Sequence, residues 1–212
     1  MQTSVIKTKG FIIKEKNSKE YDKILTMLTP QFGKINIWAN GVRKPTSHNI
    51  GKVRLFTFGN FELKESKYGY TLSFIDPIEQ FNNLVENETK LYLSFYFLEV
   101  VDYLTFENIN AEEYIKLLYY SFKALLNEKI DDSLVRSIFE LKVLYINGTY
   151  SSYDNNNEKD YLKKTWNYVL YTNIEKLYSF VLNKELLEVF IERVRKEFHK
   201  NIDKKFNTEK YI

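Results

Sequence analysis

The turn-forming residues of this 212-residue chain are confined almost entirely to its first 80 positions. Six of the seven glycines and all three prolines lie there. Gly148 is the one glycine in residues 81–212, which contain no proline. Short strands joined by tight turns need such residues, whereas long helices exclude them. The distribution predicts a strand-rich domain over residues 1–80 and a helical domain over residues 81–212.

Apolar residues in the first 80 positions are grouped into runs with the length and period of β-strands. The run KINIWA alternates three apolar residues with Asn36 and Trp38, which face the opposite side of the predicted strand. Gly10 and Gly59 interrupt two other runs, where glycine indicates a bulge or a sharp bend. The predicted strands lie within residues 4–16, 21–29, 34–39, 53–66 and 69–76.

Five kinked strands in a segment of this length predict a small closed barrel. The predicted fold class is α+β, with a five-stranded OB-fold β-barrel over residues 1–80. An SH3-like barrel is an alternative that hydrophobic period does not separate from it. The phenylalanines expected in the barrel core are Phe11, Phe56, Phe58, Phe61 and Phe74.

From residue 81 onward, apolar residues recur every three or four positions, which is the period of an amphipathic helix. Asn110 stands where an N-cap is expected, as does Asp131 or Asp132, and Gly148 stands where a helix would end. These signals predict an all-α domain, with helices within residues 84–108, 110–129, 131–150, 164–182 and 184–202. The polar stretch SSYDNNNEKD (151–160) is predicted to be an exposed loop.

Motifs for catalysis or for binding a cofactor are missing from the sequence. Cysteine is absent, which excludes disulfides and thiolate metal sites, and His48 and His199 lie far apart. No Walker A, dinucleotide-binding or G-x-S-x-G motif occurs. We therefore expect no cofactor, no metal and no enzymatic activity. With no signal peptide and no apolar stretch of about 18 residues, a cytoplasmic protein without a membrane partner is expected.

Charge is segregated along the chain, although the formal net charge is only +3. Residues 1–80 hold 13 Lys and Arg against 7 Asp and Glu, and residues 81–160 hold 7 against 14. Residues 161–212 are basic again, with 11 against 7. A basic module suits a polyanion such as nucleic acid, and an acidic one suits protein partners.

Basic residues and one tryptophan are the candidates for binding nucleic acid. Arg43 and Lys44 lie in a loop bounded by Gly41 and Pro45, and loops at the rim of an OB barrel bind ligands. Trp38 would stack on bases if it is exposed, and would be a core residue if it is partly buried. The full candidate set is Lys14, Lys34, Trp38, Arg43, Lys44, Lys52, Arg54, Arg193 and Lys196, the last two on the polar side of the final predicted helix.

Several short motifs follow one another in a fixed order between residues 10 and 47. They are Gly10–Lys14, Asp22 with Leu28–Thr29, Gly33–Lys34, and Ala39, Gly41, Arg43, Lys44, Pro45 and Ser47. This order resembles the N-terminal domain of the RecO family of bacterial recombinational-repair mediators. A weaker similarity continues through the helical half, so that the resemblance covers nearly the whole chain.

The resemblance implies an OB barrel joined to a helical domain that binds single- and double-stranded DNA and anneals complementary strands. It also implies help in loading recombinase onto strands coated by single-strand-binding protein. The implied partners are DNA, RecR, the acidic C-terminal tail of single-strand-binding protein and, indirectly, RecA, in the bacterial cytoplasm at the nucleoid. Implied DNA contacts fall on Lys34, Arg43 and Lys44, supported by Lys14, Lys52 and Arg54.

Two features depart from the family pattern. Many relatives insert a four-cysteine zinc module after the position of Gly148, where this chain has the loop 151–160 and no cysteine. Asn40 stands where a lysine is common. Two other functions are also compatible with the residues: a protein-interaction adaptor that uses the acidic helices, and an RNA-binding OB-fold protein without annealing activity.

Overall fold

A computed structural model describes residues 5–67, 69–150 and 160–212 of the protein. The chain divides into two compact units, Met1–Asn82 with Val101–Ile115, and Asn83–Val100 with Lys116–Ile212. The segment Val101–Ile115 thus belongs with the strands, although it follows residue 80. The domain boundary read from the sequence stays a prediction.

The described residues of the first unit form a closed five-stranded barrel. Its strands follow the order β1-β2-β3-β5-β4, and β3 pairs with β5 in parallel through Ile37–Tyr70 and Trp38–Thr71. The other pairs are antiparallel. This confirms the α+β class and the OB-type barrel. The strands are β1 (Val5–Ser18), β2 (Asp22–Thr29), β3 (Gly33–Ala39), β4 (Thr57–Ser66) and β5 (Gly69–Gln80).

Side-chain alternation places the barrel core as the sequence predicts for β3, where Ile35, Ile37 and Ala39 are buried. Gly10 was expected to mark a bulge or a sharp bend, and the β1–β2 register shift lies between Ile12 and Lys14 rather than at Gly10. Gly10 allows β1 to lie close to the Met27 side chain of β2, because a Cβ at position 10 would lie 2.5 Å from Met27 Sδ. The bulge allows Phe11, Ile12 and Ile13 to be buried in succession.

Two expectations about the barrel are wrong. The run 53–66 is not a strand throughout, because β4 begins at Thr57 and Phe56 adopts a positive φ of 65°. Phe74 is not a core residue, since 42% of it is exposed. Phe74 of β5 pairs with Glu62 of β4. The β4–β5 register shifts between Glu62 and Leu63, so that Phe74 points outward. Phe11, Phe56 and Phe61 are buried as predicted.

Five α-helices occur within residues 69–150 and 160–212. They are α1 (Glu88–Leu104), α2 (Glu112–Leu125), α3 (Asp132–Ile146), α4 (Asp160–Tyr171) and α5 (Lys184–Asn201). Asp131 is the N-cap of α3 and accepts from Ser133 N at 2.8 Å. Gly148 has φ 71°, as a residue that ends a helix requires. Apart from Asp160, the predicted loop 151–160 lies outside the described residues.

The helix predicted over 164–182 is shorter than expected, because α4 ends at Tyr171. Lys142 explains the end of α4, since its Nζ donates to Leu170 O at 2.7 Å and to Thr172 O at 3.0 Å. These bonds satisfy carbonyls that would otherwise accept from a further helical turn. Asn173 then caps a separate short 3₁₀ turn, Ile174–Lys176.

A buried ion pair within α3 is hydrogen-bonded to Tyr96 of α1 in the second unit. Arg136 Nε donates to Glu140 Oε1 at 2.7 Å, and Tyr96 Oη donates to the same oxygen at 2.8 Å. Burial acts to lower the pKa of Arg136, but Glu140 and Tyr96 raise it above the ordinary value, so the guanidinium keeps its charge. Among the described helices, none is both long enough and apolar enough to cross a bilayer.

Candidate nucleic-acid interface

The outward side of β1, β2 and β3 carries residues that the barrel register brings into rows. Lys14 pairs with Thr26, which pairs with Asn36. One step along, Lys16 pairs with Ile24, which pairs with Trp38. Lys34 lies on the same side of β3, two residues before Asn36. We call this surface the β1–β3 face; it comprises Lys14, Lys16, Ile24, Thr26, Lys34, Asn36 and Trp38.

Trp38 is the exposed aromatic residue of the β1–β3 face. Its neighbours along β3, Ile37 and Ala39, point into the core, so Trp38 must point outward. The side chain is 45% exposed and lies beside Ile24 of β2 and Thr71 of β5. An indole on the outward side of a sheet and open to solvent can stack on a nucleic-acid base.

The loop between β3 and β4, residues 40–56, brings Arg43 and Lys44 to the turn between β1 and β2. Arg43 N donates to Tyr21 O at 3.0 Å, and Arg43 Nη1 donates to Glu20 O at 3.1 Å. Lys44 Nζ lies 5.8 Å from the centre of the Tyr21 ring. Both cations are exposed and follow the end of β3 that carries Trp38. The two loops therefore form a basic rim beside the β1–β3 face.

Gly41 is required for the loop to leave β3 in this direction. Its φ is 63°, a conformation that glycine adopts without strain. The Gly41 N–H donates to Asp22 Oδ1 at 2.7 Å, which fixes the loop to the first residue of β2. The conformation of Gly41, between Ala39 and Arg43, thus directs Arg43 and Lys44 toward the β1–β2 turn.

The second half of loop 40–56 runs along β5, so Lys52 lies apart from Arg43 and Lys44. Asn49 Nδ2 donates to Ser73 O at 3.3 Å, and Gln80 Nε2 donates to Lys52 O at 3.1 Å. Lys52 Nζ lies 5.2 Å from the centre of the exposed Phe74 ring. Lys52 therefore lies toward β5, whereas Arg54 is exposed on the same loop.

The cations of the first unit differ in whether a carboxylate accompanies them. Lys14 Nζ lies 2.7 Å from Asp102 Oδ2, and Lys34 Nζ lies 3.1 Å from Asp102 Oδ1. Within residues 5–67, 69–150 and 160–212, no carboxylate forms an ion pair with the cations of loop 40–56, which are Arg43, Lys44, Lys52 and Arg54. The positive charge of that loop is thus not compensated by an ion pair.

Comparison with known proteins agrees with this geometry. The family model described as "Recombination protein O N terminal" matches residues 1–81, which is the barrel. The DNA repair protein RecO of Acetivibrio thermocellus is 24% identical over 98% of this chain and 96% of its own length. That of Caldicellulosiruptor bescii is 36% identical over 69% of this chain and 59% of its own length. The chain belongs to the RecO family.

The stronger local similarities span only part of the relatives. The RecO protein of Alkaliphilus metalliredigens is 31% identical over 68% of this chain, and the match covers 58% of that protein. The alignments with the relatives from Caldicellulosiruptor bescii and Alkaliphilus metalliredigens thus span under two thirds of the length of those proteins. The residues that carry the RecO resemblance, 10–47, lie in β1, β2, β3 and the start of loop 40–56.

The two C-terminal candidates belong to the second unit. Arg193 is half-buried and Lys196 is exposed, one turn apart on α5. Glu188 and Glu192 line the same groove as Lys196, so the local charge is mixed. DNA contact by Arg193 and Lys196 stays a prediction. Of the described residues, no group of three or more His, Cys, Asp or Glu is placed to hold a metal ion.

Sequence reasoning missed three residues that shape the interface. Tyr21 is 38% exposed beside Lys44, and its position in the polar turn NSKEY was an available signal. Phe74 was assigned to the core because the bulge that reverses its direction is not visible in the period. Asp102 had no signal, because its lysine partners are 88 and 68 positions away in sequence.

Proposed function

We propose that this chain acts in bacterial DNA repair and recombination by binding single- and double-stranded DNA and annealing complementary strands. The observation that carries the proposal is the juxtaposition of exposed Trp38 with Arg43 and Lys44, which no described carboxylate neutralises. The RecO names of its relatives support the repair role. A DNA-binding role would place the protein at the nucleoid, in the cytoplasm.

Each part of the interface suits one property of the ligand. Exposed cations release counterions when they neutralise phosphates, and this supplies affinity for any strand. An exposed indole adds a stacking platform that single strands can use, because their bases are free to unstack from one another. Lys14, Lys34, Lys52 and Arg54 would extend the basic surface on either side of Trp38. DNA is therefore expected to follow the β1–β3 face and the rim of loop 40–56.

Annealing by such a surface needs no catalytic residue. Two strands repel each other through their phosphates, and a protein that neutralises both lowers the barrier to pairing. The charge of Arg43 and Lys44 does this without forming or breaking a covalent bond. We therefore propose that the protein acts as a non-enzymatic mediator, and that it needs no cofactor.

We further propose that the helical unit binds the acidic tail of single-strand-binding protein. A groove of about 490 Å³ lies between the start of α3 and residues 181–191. Lys129 and Lys184 line it, and Val181, Leu187 and Ile191 give it an apolar floor. Asp131 and Glu188 also line the groove. The Asp131 carboxylate accepts two backbone N–H groups. RecR is the proposed partner in loading RecA onto strands from which the coating protein is displaced.

Trp38 gives a direct test of stacking. We expect Trp38→Ala to weaken binding of single-stranded DNA about tenfold, within the 1–3 kcal/mol range for one stacked base. Binding of duplex DNA should change little, because paired bases are not free to stack on the indole. Trp38→Phe keeps an aromatic platform and should bind within about threefold of the wild-type protein. Fluorescence anisotropy with labelled DNA measures these affinities.

Intrinsic fluorescence supplies an independent readout of the same contact. The chain has two tryptophans, and Trp166 is buried. Quenching by single-stranded DNA should therefore come from Trp38 and should disappear in Trp38→Phe while binding persists. Wild-type affinity in Trp38→Ala, or full quenching in Trp38→Phe, would exclude Trp38 from the interface.

A strand-annealing assay tests the proposed function itself. Complementary strands that carry a fluorophore and a quencher are coated with single-strand-binding protein, either intact or without its acidic tail, and annealing is followed by loss of fluorescence. We expect acceleration with bare strands and with the intact coat, and little acceleration with the tailless coat. Binding to neither DNA nor RNA would favour a protein-interaction adaptor. Equal binding of RNA without annealing would favour the RNA-binding alternative.

A further inference from the structure

The end of α1 places one carboxylate between two lysines of the β1–β3 face. Asp102 Oδ2 lies 2.7 Å from Lys14 Nζ, and Asp102 Oδ1 lies 3.1 Å from Lys34 Nζ. Lys34 Nζ also donates to the backbone oxygen of Asp102 at 2.6 Å. All three residues belong to the first unit. Each oxygen of one anionic group thus contacts one ammonium group.

A phosphodiester group has the same features that the lysines recognise in Asp102. It carries one negative charge shared by two terminal oxygens, and each oxygen accepts from a cation. Lys14 stands in the row of Thr26 and Asn36, which is adjacent to the row of Trp38. Rows on one side of a sheet are two residues apart, about 7 Å along the strand. A strand whose base stacks on Trp38 would bring a phosphate within reach of Lys14 and Lys34.

The position of Asp102 within α1 does not by itself favour a negative charge. Asp102 lies in the last turn of α1, where the helix dipole disfavours negative charge. No basic residue of α1 lies in that turn to offset it. The lysines of β1 and β3 are therefore the groups that favour an anion at this position. With Asp102 in place the three side chains carry a net charge of about +1, and without it about +2.

We propose that Lys14 and Lys34 form a phosphate-binding position of the DNA interface, and that the Asp102 carboxylate occupies this position in the free protein. This inference rests on the proposed function, because it names one subsite of the same surface. A bound phosphate displaces the carboxylate, so Asp102 lowers affinity for DNA.

Main-chain hydrogen bonds hold the backbone that follows Asp102, and none of them involves its carboxylate. The carboxylate can therefore be removed without breaking these bonds. Lys34 N donates to Phe106 O at 2.9 Å, and Asn108 N donates to Phe32 O at 2.9 Å. Gly33 and Glu107 form an antiparallel bridge. Asp102→Asn preserves the shape of the side chain and these main-chain bonds, and we expect it to fold.

The test compares matched pairs of variants in a salt titration of single-stranded DNA binding. Asp102→Asn should raise affinity roughly five- to tenfold at about 50 mM salt, because no carboxylate then competes with phosphate for the two lysines. Glu62→Gln is the control, because Glu62 forms a comparable pair with Lys7 at 2.8 Å between β1 and β4. It makes the same change in net charge and should alter affinity less than about twofold.

A second pair keeps the test decisive if Asp102→Asn does not fold. Lys14 and Lys7 are both exposed and both paired, so either can be replaced by glutamine. Lys14→Gln should weaken binding several-fold and flatten the salt slope, and Lys7→Gln should not. If Asp102→Asn binds no better than Glu62→Gln, or Lys14→Gln no worse than Lys7→Gln, the phosphate position is wrong. If the wild-type protein does not bind DNA at low salt, the proposed function fails as well.

Discussion

Reversing the charge of Arg43 and Lys44 together is expected to weaken binding of single-stranded DNA on the order of 50-fold at about 50 mM salt. Both side chains are exposed, and no carboxylate of the described residues pairs with them, so their charge is available to phosphates. The double variant Arg43→Glu/Lys44→Glu removes about two contacts. The slope of log affinity against log salt should become shallower by about 1.4 for single strands and about 1.8 for duplex DNA.

A control with the same change in net charge separates a local contact from general electrostatics. Lys7 and Lys9 are exposed on the outward side of β1, in the half of the strand that pairs with β4 rather than with β2. Lys7→Glu/Lys9→Glu should lower affinity less than about threefold and leave the slope nearly unchanged, because screening by salt limits effects at a distance. Equal losses in the two double variants would show that loop 40–56 is not a contact site.

Replacing Gly33 by alanine is expected to destabilise the barrel unit by roughly 3 kcal/mol or more. Its φ of 66° costs an alanine about 1–2 kcal/mol. A Cβ would also collide with Phe106 O and lie 3.0 Å from Ile109 N. These atoms belong to the segment that pairs with the β2–β3 turn through Lys34 N and Asn108 N. Relief of the collision would break that pairing and leave backbone groups unsatisfied.

Gly148→Ala isolates the backbone contribution to this effect. Gly148 has a φ of 71°, and no atom lies within 4 Å of a Cβ built there. Its substitution should therefore cost about 1 kcal/mol. Urea unfolding followed by circular dichroism gives both values. Similar losses for the two variants would mean that segment 105–111 adjusts to the added methyl group without cost.

Local signals predicted those parts of the fold that depend on neighbours in sequence. The alternation in KINIWA determined which side of β3 is buried and placed Trp38 on the opposite side, but it left open whether Trp38 is exposed. Asp131 and Gly148 marked the ends of α3, because caps act through backbone groups within four residues. Gly41 marked the turn that presents Arg43 and Lys44.

Features that depend on register or on distant contacts were not predictable in this way. Phe74 points outward because an extra residue in β5 shifts the β4–β5 pairing, and a single-strand pattern contains no information about its partner. Val53 is a core residue although it lies in a loop rather than in a strand. The role of Lys34 changes once Asp102 is known to lie beside it, and only the folded chain brings these residues together.

Lysine footprinting of the wild-type protein tests most directly where DNA lies. Acetylation rates are measured by mass spectrometry with and without saturating single-stranded DNA, so that each exposed lysine reports its own surroundings. DNA on the β1–β3 face and its rim should slow acetylation of Lys16 and Lys44 several-fold and leave Lys7 and Lys9 unchanged. Protection of Lys7 and Lys9 with Lys16 and Lys44 unprotected would place the DNA where β1 pairs with β4 and contradict the proposed interface.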